Sequence, residues 1–269
     1  MEYGININYF RNTEFSKAAE LISKAGFTCV DYTPPVAKDD WQDIMKNSCK
    51  ILSEHGLKVN QTHIPFNRYG SCGENHRLYV ERTLEATAFM GAEHAVVHGD
   101  EFDFDNMQYS PEAALEYNHN YFLNDVTFAE KSGFKIAFET VFNDHPVKTR
   151  FTSKPEELLD LINSYNSKSA VCCWDFGHAN VSFRKTAHQW IVKFGSLIEC
   201  THVHDNAGND SHQMPLTGDI DWKQTMTAFK EIGYNNVMSI EYAHGSIPEH
   251  MICDYINLTY KAVDHLCSL

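Results

Sequence analysis

Six short apolar runs of this chain end, one after another, on a histidine or a carboxylate. VNQTH closes on His63, HAVVH on His98, KIAFE on Glu139, AVCCWD on Asp175, IECTHVH on His204 and NVMSIE on Glu241. These are side chains that ligate divalent cations and move protons. One such ending carries little meaning; six in order place ligand-type groups at one end of a set of strands. Glu139, Asp175, His204 and Glu241 come from successive strands and form a mixed oxygen and nitrogen set. That set suits Mn²⁺, Zn²⁺, Co²⁺ or Mg²⁺ and does not choose among them. A second group stands beside it: His63, His98, His178 in WDFGH, and the pair Asp210 and His212 in the loop after the seventh strand. Asp-x-His sets a carboxylate and an imidazole on one side of an extended segment, half of a metal site.

Each of these residues also has an ordinary reading taken singly. A strand-end polar group can cap or be solvated, and His63 or His98 can be a substrate hydrogen-bonding or structural imidazole. Asp210 and His212 can sit in a solvated loop. Asp221 before Trp222 reads as a helix N-cap, and Asp205 and Asn206 read as loop-shaping. His145, His188, His244 and His250 read as surface residues. Tyr9, Phe10, Phe66, Phe142 and Trp174 lie near strand ends, where they serve either a pocket wall or the core.

The elements that must position these groups follow a repeating unit of amphipathic helix, glycine and short apolar strand. EFSKAAELISKAG leads into FTCVDY, DIMKNSCKILSEHG into LKVNQTH, and KQTMTAFKEIG into YNNVMSIE. Gly26, Gly56, Gly91, Gly133 and Gly233 stand where a helix ends in the left-handed conformation. The pattern predicts strands near 3–8, 28–33, 58–63, 94–98, 135–139, 170–175, 198–204 and 237–241, with helices between them and a last helix near 248–267. Eight alternating units favour a closed (β/α)₈ barrel, which leaves no bare sheet edge. One α/β domain spanning 1–269 is expected, because no linker or composition shift divides the chain. In such a barrel the C-terminal strand ends carry the active site.

The net charge of −14 repels phosphate backbones, so nucleic acid is disfavoured as a partner. Between Phe194 and Trp222 there is no Lys or Arg at all, so the rim loop after the seventh strand is acidic. Arg11, Arg68, Arg150, Arg184 and Lys185 are the cations left to meet a substrate phosphate elsewhere. The eight cysteines show no C-x-x-C pair, and the adjacent Cys172 and Cys173 read as small strand residues facing opposite sides. With no signal-peptide pattern and no apolar stretch near 20 residues, a cytoplasmic protein with reduced thiols is expected.

WDFGH around Asp175 and His178, and the block running from His204 through Asp210, His212 and Gly218 to Asp221 and Trp222, resemble the xylose isomerase-like TIM-barrel superfamily. That superfamily includes sugar and sugar-phosphate isomerases and epimerases and the endonuclease IV group. The resemblance spans nearly the whole chain; Leu216-Thr217-Gly218 departs from the usual glycine-rich step. It implies a catalytic metal at Glu139, Asp175, His204 and Glu241, with His178 contacting substrate. It also implies, from the endonuclease branch, up to three zinc ions on those four together with His63, His98, His178, Asp210 and His212. The expected cofactor is therefore Mn²⁺ or Zn²⁺, with Co²⁺ or Mg²⁺ as alternatives. The expected activity is isomerisation or epimerisation of a ketose or related polyol, phosphorylated or not. Glu139 and Glu241 would pass a proton by way of an enediolate that the metal stabilises. A lyase or dehydratase, or a phosphoesterase with two to three zinc ions, would use the same residues. Self-association into homo-oligomers is common in the resembling family.

Overall fold

The computed structural model describes residues 1–67, 72–143, 149–242 and 247–269; Arg68, His145 and His244 lie outside the described residues. Among the described residues eight parallel strands form one sheet: β1 (Tyr3–Asn6), β2 (Cys29–Asp31), β3 (Lys58–His63), β4 (His94–Val97), β5 (Lys135–Glu139), β6 (Ala170–Asp175), β7 (Ile198–His202) and β8 (Met238–Ile240). The pairing order is β7-β6-β5-β4-β3-β2-β1-β8. Val203 closes the ring: its N–H donates to Ser239 (2.7 Å), its carbonyl accepts from Glu241 N–H (3.1 Å), and it bridges Ile240. The (β/α)₈ barrel expected from the repeat is the fold.

The strands are covered by α1 (Phe15–Ala25), α2 (Trp41–Glu54), α3 (His76–Met90), α4 (Pro111–Ser132), α5 (Pro155–Ser164), α6 (Phe176–Phe183), α7 (Ala187–Phe194), α8 (Trp222–Glu231) and α9 (Ile252–Ser268). Local chemistry sets their ends. Ser110 caps α4 by accepting from Ala113 N–H, with Pro111 at the first helical position, where its missing N–H costs nothing. Gly133 ends that helix at φ 81°, a conformation other residues avoid. Asp221 caps α8 through Gln224 N–H, as its position before Trp222 suggested.

Alternation along the strands divides the core. Ala137 and Cys173 point into the barrel with Val96, Val171 and Cys200, a layer of small side chains that fits a narrow interior. Phe138 and Trp174 point outward under the helices, where burial of each large side chain contributes roughly 1.5–3 kcal/mol. Cys172 faces outward and Cys173 inward, as two adjacent strand residues must. Two regions differ from the sequence expectation. β7 stops at His202 rather than running to 204, and the unit after β6 carries two helices, α6 and α7.

After β7 the chain enters a long loop, 205–221, organised by one buried carboxylate. Asp205 accepts from the N–H groups of Asn206 (2.9 Å), Leu216 (3.0 Å) and Ile220 (3.3 Å) and from Trp222 Nε1 (2.8 Å). Gly218 lets the loop fold back so closely that a Cβ there would lie 2.2 Å from Asp205 Oδ1. Asp205→Ala strands these donors in a buried site, and a loss of about 3 kcal/mol is expected, read as a lowered urea midpoint. A loss below about 1 kcal/mol would mean that another group anchors the loop.

Candidate metal centre

Strand register decides which side chains meet at the barrel mouth. Glu139 is level with Cys173 across β5 and β6, and Asp175 is level with His202 across β6 and β7. Glu241 follows β8 directly. One ligand atom from each of Glu139, Asp175, His202 and Glu241 lies within 4.8 Å of the others, and all four residues are buried. His202 Nδ1 sits 3.1 Å from Glu139 Oε1, 3.0 Å from Glu241 Oε2 and 3.8 Å from Asp175 Oδ2. This group contains His202 where the sequence reading had placed His204. Both histidines face the barrel axis, because residues two apart share a side of a strand. The β6–β7 register sets His202, not His204, level with Asp175.

His204 belongs to a second, shallower group with His178, Asp210 and His212, whose ligand atoms also lie within 4.8 Å of one another. Asp175 joins the two groups, since His204 Nε2 lies 3.0 Å from its Oδ1. Asp175 is also the N-cap of α6, accepting from His178 N–H at 2.6 Å. This explains WDFGH: the cap sets the carboxylate, and the first turn returns His178 to the same face. The glycine between them is required, because a Cβ on Gly177 would stand 1.9 Å from the His204 ring. His212 has φ 42°, sparsely populated for a side chain of this type, and stacks on His204 with ring centres 3.9 Å apart. Of the nine positions implied by resemblance, His63 forms a third group with Glu139 and His202, both already in the deep group. His98 also touches Glu139 but joins none of the ligand groups.

Three imidazoles are oriented in the same way. The Nδ1–H groups of His63, His178 and His212 donate to the backbone carbonyls of Ile64 (2.8 Å), Thr140 (2.9 Å) and Glu241 (3.0 Å). Each neutral ring then turns an Nε2 lone pair toward a carboxylate: His63 to Glu139 at 3.0 Å, His178 to Asp210 at 3.6 Å and His212 to Asp210 at 3.2 Å. A lone pair facing an anion is repulsive unless a proton or a cation lies between them. Carbonyl-anchored imidazoles beside carboxylates are the arrangement that presents nitrogen to a metal. His204 Nδ1, buried without a hydrogen-bond partner, is a further unused donor atom for a cation. The donor set fits a divalent ion at the deep group and offers a second position at the shallow one.

Protons compensate the charge in the protein alone. Burial would raise the Glu139 carboxyl, but His202, His98 and His178 outweigh it and hold it well below the usual carboxylate range. Glu241 is lowered in the same way by His202. Burial would lower His202, yet Glu241 and Glu139 raise it well above its ordinary value. His212, opposed by burial but bonded to Asp210, is pushed up to about 9.

Tyr9, Phe66 and Phe142 stand at this mouth against His212, His63 and His178 respectively, whereas Phe10 and Trp174 are core residues. Three residues were given no place at this site by the sequence reading, Arg150 having been named only as a cation for a substrate phosphate elsewhere. His202 lay in plain view in the HVH of strand 7. Asp31 closes β2 on a buried carboxylate that accepts from Gln61, Asn60 and Ser239. Arg150 has no motif around it.

Two expectations follow. His202→Ala lowers affinity for the first divalent ion by at least about a hundredfold, while His204→Ala lowers it far less; titration calorimetry with Zn²⁺ reads the difference. An equal loss in both variants would remove the assignment of His202 to the deep group. In chelator-treated protein the raised imidazoles hold protons that the unfolded chain releases above about 6.5, so thermal stability falls as pH rises from there toward about 9. Zn²⁺ restores stability at the upper end of that window, because binding displaces those protons. A flat profile without chelatable metal would show that protons do not balance the cluster.

The chain is 28% identical over 260 residues to the uncharacterized protein MJ1311 of Methanocaldococcus jannaschii, covering 90% of this chain and 83% of that protein. Its fold is similar to that of a D-tagatose 3-epimerase-like protein (TM-score 0.76, 24% identity, 98% of each chain covered) and of a D-psicose 3-epimerase solved with D-fructose (TM-score 0.77, 14% identity, 99% of each chain). It is also similar to that of the probable 3-DHS dehydratase AsbF of Bacillus anthracis (TM-score 0.74, 12% identity, 98% of this chain and 99% of that one). The family described as xylose isomerase-like TIM barrel matches residues 19–264, and with that span covered the chain belongs to it.

Proposed function

We propose that this protein is a divalent-metal-dependent isomerase or epimerase of a ketose or related polyol. The observation that carries the reading is the convergence of Glu139 and Glu241, from the ends of β5 and β8, on one buried four-ligand group. A cation held by Glu139, Asp175, His202 and Glu241, Mn²⁺ or Zn²⁺ on this donor set, supplies Lewis acidity that makes a proton beside the substrate carbonyl removable. In the protein alone His202 holds both glutamates ionised; with His202 as a ligand the cation would do so, the condition a general base needs. One takes the proton from the substrate carbon, leaving an enediolate. The other returns a proton to the opposite face, giving the epimer, or to the adjacent carbon, giving the isomer. Asn6 Nδ2, 3.4 Å from Glu241 Oε1, steadies that base. His178, beside Glu139 at 3.2 Å, orients a substrate hydroxyl.

An uncharged substrate is favoured. The loop from Phe194 to Trp222 has no cation, Arg150 is ion-paired to Asp100, and Arg184 is paired to Asp219 at 2.9 Å. Tyr9, Phe66 and Phe142 offer apolar faces to the C–H side of a sugar. The shallow group of His178, His204, Asp210 and His212 supports a second reading, a hydrolase that clamps a phosphoester between two cations.

Glu139→Gln and Glu241→Gln should each lower turnover of a ketose by roughly 10² to 10⁴; near-full activity in either would sink the two-base mechanism. In D₂O the substrate should gain deuterium at one carbon by NMR. Turnover without exchange points to hydride shift or hydrolysis, and appearance of an unsaturated product points to dehydration. Asp210→Ala should be mild for a one-metal isomerase and severe for a two-cation hydrolase.

A further inference from the structure

At one corner of the deep group two histidines approach the same oxygen of Glu139 from different strands. His63 Nε2 lies 3.0 Å from Oε2 and His98 Nε2 lies 3.1 Å from it. Their other nitrogens meet opposite chemistry. His63 Nδ1 faces the Ile64 carbonyl, an acceptor, at 2.8 Å. His98 Nδ1 faces Arg150 Nη2 at 3.0 Å. A guanidinium has only donors. It is held in place by Asp100, which accepts from Nε, and by the Phe142 carbonyl, which accepts from Nη1 at 3.2 Å; its side chain is buried.

The hydrogen-bond roles at His98 are therefore determined. Nδ1 must accept from Arg150, which places the ring proton on Nε2. Nε2–H then donates to the Glu139 carboxylate, and one tautomer satisfies both contacts. The tautomer that could ligate a cation through Nε2 would turn Nδ1–H against a guanidinium N–H in a buried site, where two opposed donors are costly. Swinging the ring over would replace both nitrogens by carbons at two polar partners.

We propose that Arg150 is a positioning residue that fixes His98 as an Nε2–H donor to Glu139 and so bars His98 from ligating a cation. The corner then has only His63 as a ligand of its own, because Glu139 and His202 belong to the deep group. Among the described residues at most two cations are then held, at the deep and shallow groups, because the third group of His63, Glu139 and His202 shares two members with the deep one, and His98 aims the carboxylate of a proposed base. The inference about cation number rests on the metal-dependent reading above; the tautomer does not.

The test is a two-bond ¹H–¹⁵N correlation of the histidine rings in ¹⁵N-labelled protein, Zn²⁺-loaded and chelator-treated, with His98 assigned by loss of its signals in His98→Gln. Native mass spectrometry counts Zn²⁺ in parallel. The expected result is a protonated Nε2 and bare Nδ1 at His98 in both forms, with no more than two Zn²⁺ per chain and the same number in His98→Gln. Arg150→Met should move the ring toward the Nδ1–H tautomer. A wild-type His98 with Nδ1–H and a Zn²⁺-shifted Nε2, a Zn²⁺ lost in His98→Gln, or an unchanged tautomer in folded Arg150→Met would overturn the proposal. If Arg150→Met does not fold, the wild-type spectrum and the His98→Gln count still decide. Wild-type protein with no bound Zn²⁺ but an Nε2–H His98 would overturn the metal-dependent reading and leave the positioning role standing.

Discussion

Negative charge gathered where water is scarce is the constraint around which this barrel mouth is arranged. Glu139, Asp175 and Glu241 are buried at one depth, with Asp210 just above them. Two like charges about 4 Å apart repel by roughly 4 kcal/mol at an effective dielectric near 20. Three carboxylates are tolerable there only with positive charge among them, from imidazolium protons or from a cation. The histidines supply the first and are oriented to accept the second. Their Nδ1 atoms are pinned by the carbonyls of Ile64, Thr140 and Glu241, so their Nε2 atoms have nowhere to point but inward.

The barrel makes this concentration of charge affordable by separating its duties. Below the mouth the interior is filled by Val96, Ala137, Val171, Cys173 and Cys200, and the bulky side chains lie outside the sheet. The clustered carboxylates and imidazoles sit at the strand ends and on two short pieces of chain fixed by carboxylates. Asp175 caps α6 and so places His178; Asp205 collects four donors and so shapes the loop that brings Asp210 and His212 back over β8. Asp175 also touches His204, which makes the deep and shallow groups one electrostatic unit.

Two cations of the rim are engaged in holding structure. Arg150 ties Asp100 to His98, and Arg184 ties α6 to Asp219. Aromatic rings border the imidazoles at the same mouth. The same geometry surrounds both oxygens of Glu139 with imidazole nitrogens.

Much of this was legible in the chain itself. Helix, glycine and strand recur five times within eight alternating units, and hydrophobic periodicity is a local property, so the barrel could be read directly. The carboxylates that converge could be read for the same reason: Glu139, Asp175 and Glu241 each close an apolar run. What the sequence by itself could not decide was depth. In IECTHVH two histidines share one face of the strand, and only the β6–β7 register, a contact between distant segments, put His202 level with Asp175 and left His204 to the shallow group. Nor could it decide the tautomer of His98. That depends on Arg150, some fifty positions away and without a motif, because a hydrogen-bond partner is chosen by three-dimensional proximity rather than by spacing along the chain.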